Sequence, residues 1–261
     1  MWLAIGPYEG SIAMLPVAQL YTRDVPDLHT PEGADLLQVL WCPFDHPIMP
    51  RTALFRRDAA TVIDILTTPP EPPAMQFDGY LPEPCLLNPE QVTDYPDHLE
   101  LSEELQAQLG DWNVWQTADT HADRPYASYL EESFDRTYAS GQQETRDLER
   151  ASYLPQYYDN ELAGAPGWKV GGWPRWGATD PTPRLCPACG HDMDALLTIA
   201  TFEDNDDSSW LPHEEPVDAP STGSTYYDPG QPTVVQIASG YDQQLYVCPA
   251  SPEHPHVELM H

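Results

Sequence analysis

The chain has 261 residues, of which 42 are Asp or Glu and 11 are Lys or Arg, so its formal net charge at pH 7 is -31. A field of this sign repels phosphate backbones and anionic lipid, which argues against direct nucleic-acid binding and against a membrane-surface role. Hydrophobic residues make up 41% of the chain. This content is too high for a disordered acidic tail, so the chain is predicted to fold.

The acidity has two interpretations. A strongly negative surface keeps a protein soluble, and it also attracts a basic partner such as a ribosomal protein, a cationic toxin or a DNA-binding protein. The N-terminal stretch MWLAIGPYEGSIAML lacks the basic flank and long apolar run of a signal peptide. No later stretch approaches the roughly 20 apolar residues of a membrane span. We therefore expect a cytoplasmic protein without a membrane segment.

The 30 prolines restrict much of the backbone to extended and turn conformations, so long helices are expected to be few. In the first part of the chain, short apolar runs bounded by turns predict strands at residues 15–20 and 36–41. A helix is predicted over residues 57–67, because Asp58 is a good N-cap and the apolar residues that follow share one face.

The middle of the chain is predicted to wrap around the core as an ordered, proline-rich segment. A second helix is predicted over residues 102–109, where Ser102 is the N-cap, and residues 145–153 show a weaker helical pattern. Cys85 has no partner at a ligand spacing and is expected to be a buried small hydrophobe. Five apolar residues are expected to anchor the wrap: Phe77, Tyr80, Leu81, Leu86 and Leu87.

In the last part of the chain, apolar runs predict strands at residues 195–202, 234–237 and 245–247. The acidic, polar run over residues 203–230 is typical of a surface loop. Two segments in the two halves resemble each other, since residues 36–47 and 243–255 each carry an apolar strand that ends in Cys-Pro and then His-Pro. Their flanks also correspond: residues 17–20 with 234–237 upstream, and residues 52–55 with 257–260 downstream.

Internal duplication and chance resemblance in a proline-rich chain both explain this repeat. With duplication, the predicted fold is α+β and β-rich, with two pseudo-repeated antiparallel sheet modules packed into one compact unit with a few short helices. We expect a single domain over residues 1–261. It comprises a first β module (1–66), a proline-rich wrap with helices (67–160) and a second β module with a Cys-x-x-Cys knuckle (161–261).

The strongest local signal for chemistry is Cys186-Pro187-Ala188-Cys189-Gly190. Two thiolates three positions apart can bind one tetrahedral ion, and the glycine after them allows the turn that this requires. A thioredoxin-like redox pair needs a strand before the motif and a helix after it, whereas a strand-like run follows here. The motif therefore favours half of a zinc site over a redox pair.

The other half of the zinc site has two possible sources. Cys248 follows a predicted strand and precedes His254 and His256, so the knuckle, Cys248 and one of these histidines would form a Cys3His site. Cys42, with or without His46, is the alternative from the equivalent place in the first module. Cys248 with His254 is the favoured pair, because Cys248 is closer to the knuckle in sequence.

Residues 165–177 interleave glycines with Trp168, Trp173 and Trp176. Tight turns of this kind bring backbone close beneath large rings. One interpretation is an aromatic surface that binds a partner, and the other is that the rings close one end of the core.

The order of GGWPRWG, CPACG, MDALLTIATFE and QLYVCP resembles the bacterial YwqG-like family over about residues 160–261. More distantly, it is similar to the C-terminal region of eukaryotic programmed cell death protein 2. The resemblance implies a β-rich α+β fold with internal duplication and no established catalytic activity. It implies a binding role, either as a chaperone of a nascent basic ribosomal protein or as an immunity-like companion of a toxin. LLTIATF departs from the family by lacking the Gln that this strand commonly carries.

These observations favour a non-catalytic binding protein with a structural zinc site and a basic protein partner. The first alternative is a zinc-dependent hydrolase with an open metal position and Asp45, Asp192 or His191 as the base. The second is an acidic mimic of nucleic acid, which rests on charge alone. The sequence contains no nucleophile elbow and no HExxH motif.

Overall fold

The computed structural model describes residues 11–28, 30–68, 72–111, 145, 155, 158–159, 162–176, 180–203 and 230–261. Within them the chain forms two antiparallel sheets and few short helices, which confirms the predicted β-rich α+β fold. The weak helical pattern at 145–153 and the loop predicted at 203–230 lie almost entirely outside the described residues.

The first sheet has three strands in the order β1-β2-β3, and both neighbouring pairs are antiparallel. Along the central strand, Leu37, Val39 and Trp41 are buried in alternation with less buried residues. This period of two places one row of apolar side chains on the face that meets the core. The strands are β1 (Leu15–Tyr21), β2 (Leu36–Asp45) and β3 (Pro50–Arg57).

The second sheet has four strands in the order β4-β5-β6-β7, again with antiparallel neighbours. In β6, every residue from Gln243 to Tyr246 is buried. A strand buried on both faces needs cover on each side. The core supplies one cover, and residues 163–176, which we call the covering segment, supply the other. The strands are β4 (Lys169–Val170), β5 (Asp194–Ile199), β6 (Gln243–Val247) and β7 (Val257–Met260).

The two sheets repeat one plan, because β1-β2-β3 correspond to β5-β6-β7. In each sheet the first of these strands carries a β-bulge near its start, between Pro16 and Ala18 in β1 and between Ala195 and Leu197 in β5. Equal bulge positions fix the alignment of the two copies. In this alignment Cys42 of the first sheet and Cys248 of the second occupy the same place.

The structure corrects one part of the predicted repeat. Residues 234–237 were predicted to be the strand that matches residues 17–20, but they lie outside the named strands. Val234 and Ala238 have positive φ angles of 49° and 48°, which end an extended run. The strand that matches β1 is β5, and it ends at Ile199 rather than at residue 202.

Both sheets contribute to one hydrophobic core. Gln243 of β6 also reaches across to the first sheet, where its Nε2 donates to the backbone oxygen of Pro50 at 2.8 Å in a buried position. The two modules therefore form one packed unit, as predicted. Apolar side chains from the two sheets meet in this cluster, among them Leu37, Val39, Trp41, Leu197, Ile199 and Leu245.

A second link joins the edges of the sheets through the carboxylate of Glu258. Its Oε1 accepts from the backbone N–H and the hydroxyl of Thr52, the latter at 2.5 Å, and Nε2 of His256 lies 2.9 Å from the same hydroxyl. Burial raises the pKa of Glu258, but the contacts with His256 and Thr52 outweigh it and lower the pKa below its usual value.

We expect Glu258→Ala to lower the free energy of unfolding by about 1–3 kcal/mol, because it leaves the buried N–H of Thr52 without its acceptor. Urea denaturation followed by tryptophan fluorescence measures this difference. Glu32→Ala removes an exposed carboxylate and is the matched control. Equal stability losses in the two variants would show that the link contributes nothing.

The helix predicted at residues 102–109 is confirmed as α1 (Glu103–Leu109), and the hydroxyl oxygen of Ser102 accepts from the backbone N–H of Leu105. The helix predicted over residues 57–67 is wrong beyond its first turn. Asp58 does cap a 3-10 turn, but the turn ends at Thr61 and the chain then becomes extended. A short helix needs an apolar face packed on a core, and here the apolar residues point to solvent.

The proline-rich wrap is anchored chiefly by Tyr80. Nε1 of Trp41 donates to the Tyr80 backbone oxygen at 2.9 Å, and the Tyr80 hydroxyl donates to Oδ1 of Asp45 at 2.5 Å. Leu81, Leu86 and Leu87, predicted as anchors, are exposed, and so is Cys85, which was predicted to be buried. Residues 81–94 run along the surface without regular secondary structure, and most of their side chains are exposed.

Candidate metal centre

The Cys-x-x-Cys motif forms a tight knuckle just before β5. Leu185 and Asp192 form an antiparallel bridge at its base, and the backbone N–H of Cys186 donates to the oxygen of His191 at 2.8 Å. The N–H of Gly190 donates back to the oxygen of Cys186 at 2.8 Å, and Gly190 has a φ of 75°. A side chain at this position would be strained, so the glycine allows the knuckle to close.

Cys248 and His254 come from the segment that joins β6 to β7. Cys248 follows the last residue of β6, and that residue, Val247, pairs with Asp194 at the start of β5. The pairing of β5 with β6 thus brings the segment after β6 beside the knuckle that precedes β5. In the β6–β7 loop the N–H of His254 donates to the oxygen of Ser251 at 3.3 Å.

Four side-chain atoms converge here, from Cys186, Cys189, Cys248 and His254, and all lie within 4.8 Å of one another. Sγ of Cys189 and Sγ of Cys248 are 3.5 Å apart. Nδ1 of His254 lies 3.3 Å from the sulfur of Cys248 and 3.6 Å from that of Cys186.

These separations fit a tetrahedral ion. With Zn–S bonds of about 2.3 Å and a Zn–N bond of about 2.0 Å, the edges of a tetrahedron are roughly 3.8 Å between sulfurs and roughly 3.5 Å between sulfur and nitrogen. The soft thiolates and the imidazole are also the donors that zinc prefers. This Cys3His group could therefore hold a metal ion such as zinc.

The knuckle backbone favours the thiolate that a metal requires. Burial raises the pKa of the Cys186 thiol, but hydrogen bonds to its sulfur from the backbone N–H groups of Ala188 and Cys189 and from the thiols of Cys189 and Cys248 together outweigh burial and bring the pKa to about 6. Metal binding displaces a proton from each cysteine ligand, so a lowered thiol pKa reduces the cost of that step near neutral pH.

The ligand group rests on a small hydrophobic cluster of its own, separate from the main core. Cys186 and Cys248 are buried in it beside Met193 and Tyr246, and Val257 packs at its margin. Cys189 is exposed at the outer side of the group. Side chains of the second sheet therefore pack against one side of the ligand group, and Cys189 of the knuckle lies on its solvent-facing side.

The structure does not bring the alternative ligands to this group. The described ligand atoms that converge with the knuckle include neither Cys42, which lies in the first sheet, nor His46. His256 instead contacts Thr52 and Glu258. Asp45, one of the bases of the hydrolase alternative, accepts hydrogen bonds from Gln76 and Tyr80 in the first sheet module.

The three tryptophans of residues 165–177 have different environments. Trp168 packs against the main core, and Trp176 is buried with its ring 4.5 Å from that of His261. Trp173 is exposed, and its backbone N–H donates to Oδ2 of Asp94. The first two rings thus pack in the fold, which leaves Trp173 as the member available to a partner.

Sequence reasoning missed a second convergent group, formed by Asp97, His98 and Asp159. Nδ1 of His98 lies 3.5 Å from Oδ1 of Asp97 and contacts Oδ2 of Asp159, whose other oxygen accepts from the His98 backbone N–H at 3.1 Å. Asp97 caps the turn at residues 98–100. These contacts connect two segments that are distant in sequence, and we interpret the group as structural. No spacing rule connects residue 159 to residue 97, so the sequence could not predict it.

Comparison with known proteins finds no match, whether with a family model, a curated protein or a solved structure. Among the described residues, no helix is long and apolar enough to cross a membrane.

Proposed function

We propose that this chain is a non-catalytic binding protein, with a structural zinc site in its second sheet module and a basic protein as its partner. The observation that carries the proposal is the Cys3His group. Four protein donors complete a tetrahedral shell, which is the arrangement of structural zinc sites, whereas catalytic sites keep one position for water or substrate. No observation in the described residues favours the hydrolase alternative.

The charge distribution supports a basic partner. The single lysine, Lys169, pairs with Asp94 at 3.1 Å, and Arg184 pairs with Glu100 at 2.6 Å, with both cations largely buried. Each of these pairs is neutral, so the rest of the chain, with 42 − 2 = 40 acidic and 11 − 2 = 9 basic residues, still carries the formal net charge of -31. Such a field accelerates association with a basic protein and weakens as salt increases.

Exposed apolar side chains would provide the contact energy. Residues 62–66 follow the 3-10 turn with Asp64 among them, and Leu86 lies on the surface wrap. Apolar residues exposed in this way are typical of interaction sites. The exposed fractions are 85% for Ile63, 79% for Ile65, 73% for Leu66 and 101% for Leu86.

The resemblance to the YwqG-like family and to programmed cell death protein 2 agrees with this proposal, since both suggest binding roles. A chaperone of a basic ribosomal protein and an immunity-like protein that neutralises a cationic toxin are the two forms that we propose. Both require the same acidic surface with apolar contacts.

The test is capture of a partner from a native lysate at low salt, followed by reconstitution from purified proteins. We expect one basic protein to bind, with an affinity that falls steeply as salt rises. Ile63→Ser combined with Leu66→Ser should weaken binding by about tenfold or more, whereas Val234→Ser, at another exposed apolar position, should not. An acidic partner, or no stable partner at low salt, contradicts the proposal.

A further inference from the structure

The three cysteines of the candidate metal centre differ in their access to solvent. Cys186 is 2% exposed and Cys248 is 5% exposed, whereas Cys189 belongs to the exposed residues. The tip of the knuckle, residues 187–192, is exposed at every position. Buried structural cysteines are inert because reagents do not reach them, so Cys189 is the cysteine of this group that a dissolved reagent attacks first.

Both the metal and the charge of the chain decide which reagents react with Cys189. A cysteine that coordinates zinc is deprotonated, and the thiolate is the nucleophilic form of the side chain. The formal net charge of -31 repels anionic reagents, and Asp192 and Asp194, exposed just after the knuckle, contribute to it. An uncharged oxidant approaches without this repulsion. Hydroperoxides are uncharged oxidants that convert a thiolate to a sulfenic acid.

Cys248 is placed to complete such an oxidation as a disulfide. Its sulfur lies 3.5 Å from the sulfur of Cys189. A disulfide bond is about 2.0 Å long, so the two sulfurs need to approach by about 1.5 Å, a distance within reach of side-chain rotation at the exposed Cys189. Cys186 is held by the knuckle instead, because the N–H groups of Ala188 and Cys189 donate to its sulfur. Cys248 is therefore the expected partner of Cys189.

We propose that Cys189 is an oxidation site, at which a hydroperoxide forms a disulfide between Cys189 and Cys248 and thereby releases the metal. This inference rests on the structural zinc site of the proposed function and adds the regulation of that site. It assigns to the exposed position of Cys189 a role that a purely structural ligand does not need.

The reaction has two steps. The Cys189 thiolate attacks one oxygen of hydrogen peroxide, an S–O bond forms, the O–O bond breaks, and hydroxide leaves with the electron pair. The Cys248 thiolate then attacks the sulfenic sulfur, an S–S bond forms, the S–O bond breaks, and a second hydroxide leaves. The two sulfurs lose two electrons in total. Hydrogen peroxide gains them, and its two hydroxide ions take up protons to become water.

The disulfide withdraws two of the four donors from the metal. Cys186 and His254 remain, and two donors do not complete the shell of a structural zinc site, so the ion dissociates. The new bond still joins the knuckle to the segment after β6. A crosslink of this kind restricts the unfolded chain, so the oxidised protein should melt below the zinc-loaded form but above the reduced, metal-free form.

The experiment adds hydrogen peroxide to the purified, zinc-loaded full chain and follows released zinc with a chromogenic chelator. We expect one equivalent of zinc to leave and a disulfide between Cys189 and Cys248 to form. Proteolytic cleavage after Glu203 separates the knuckle from Cys248. Mass spectrometry of the unreduced digest therefore shows which cysteines are joined. Dithiothreitol with added zinc should restore the bound metal.

Two variants distinguish Cys189 from other thiols. Cys189→His keeps four donors but removes the exposed thiolate, so peroxide should release zinc at least about tenfold more slowly. Cys85→Ser removes an exposed cysteine outside the metal centre and should release zinc at the wild-type rate. If Cys189→His takes up no zinc, the disulfide in the wild-type digest alone decides the question.

Zinc that stays bound to the loaded wild type in peroxide would overturn this inference and leave the zinc site standing. Release with a disulfide between Cys186 and Cys189, or without any disulfide to Cys248, would also overturn it. Equal release rates from Cys189→His and the wild type would do the same. A purified chain that takes up no zinc before peroxide is added contradicts the proposed zinc site itself, and this inference with it.

Discussion

Replacing Cys186 or Cys248 by serine is expected to remove the bound metal and to lower the melting temperature by roughly 10 °C or more. Binding of structural zinc contributes directly to folding, and in small zinc domains it supplies about 10–16 kcal/mol. Loss of several kcal/mol shifts the melting temperature of a chain of this size by about 2–4 °C for each kcal/mol. Elemental analysis of the purified protein and thermal unfolding followed by circular dichroism measure the two effects.

The repeated plan of the two sheets provides a matched control. Cys42 occupies in the first sheet the place that Cys248 occupies in the second, but no knuckle lies beside it. Cys42→Ser should therefore keep one equivalent of metal and melt close to the wild type. Cobalt substituted for zinc should give the visible spectrum of a tetrahedral thiolate site in Cys42→Ser and lose it in Cys186→Ser. Wild-type protein without metal, or unchanged melting of Cys186→Ser, contradicts the zinc interpretation.

The second large effect concerns Asp242 and His261, whose pKa values are displaced in opposite directions. Burial raises the pKa of Asp242 from 3.8 to about 6. Burial also lowers the pKa of His261 from 6.5 to about 4, with Arg184 and Lys169 acting in the same sense. Near pH 5 the folded pair is neutral, whereas the unfolded chain carries Asp⁻ and His⁺. Each state of the pair then binds about one proton.

Because the proton numbers match, the pair adds almost no pH dependence to wild-type stability between about pH 4 and pH 6. Each single substitution should expose the contribution of the other residue. In Asp242→Asn, His261 remains, so stability should be lost as the pH falls from 6.5 towards 4. In His261→Gln, Asp242 remains, so stability should be lost as the pH rises from 4 through 6. Each change should reach about 1–3 kcal/mol, since one pKa unit corresponds to about 1.4 kcal/mol.

Urea denaturation at half-unit pH steps measures these profiles, compared with the wild-type profile so that other titrating groups cancel. Asp64→Asn changes an exposed carboxylate, so its stability profile against pH should be parallel to that of the wild type. If the stability profiles of Asp242→Asn and His261→Gln are also parallel to the wild-type profile, burial does not shift the pKa values of the two side chains as the fold indicates.

Most strands could be predicted from the sequence because their signal is local. The short, turn-bounded apolar runs of β2 and β6 are visible in the sequence without tertiary information. β4 has only two residues, too few for any periodic signal, and its existence depends on pairing with β5. Residues 234–237 have a strand-like composition, but the tertiary fold holds Val234 at a positive φ that no propensity scale predicts.

The candidate ligand group could be predicted in part because spacing carries most of its chemistry. The knuckle is encoded by Cys186, Cys189 and Gly190 within five residues. Cys248 was favoured over Cys42 only because it is closer in sequence, and the structure adds the β5–β6 pairing that brings it beside the knuckle. The unpaired, buried polar atoms of Thr198 and Gln244 could not be predicted. A Thr or Gln in a strand is ordinarily solvent-facing, and only the covering segment, distant in sequence from β6, makes it buried.

The two sheets share one plan, with a bulge and a cysteine at matching places, but different interactions reinforce them. The first copy holds its shape through side-chain burial and hydrogen bonds such as that between Trp41 and Tyr80. The second has a cluster where a metal ion could add coordination bonds between the knuckle and the β6–β7 loop. Cellular zinc supply would then act first on the second sheet module, and scarcity would reach the first module only through the shared core and the link between Glu258 and Thr52.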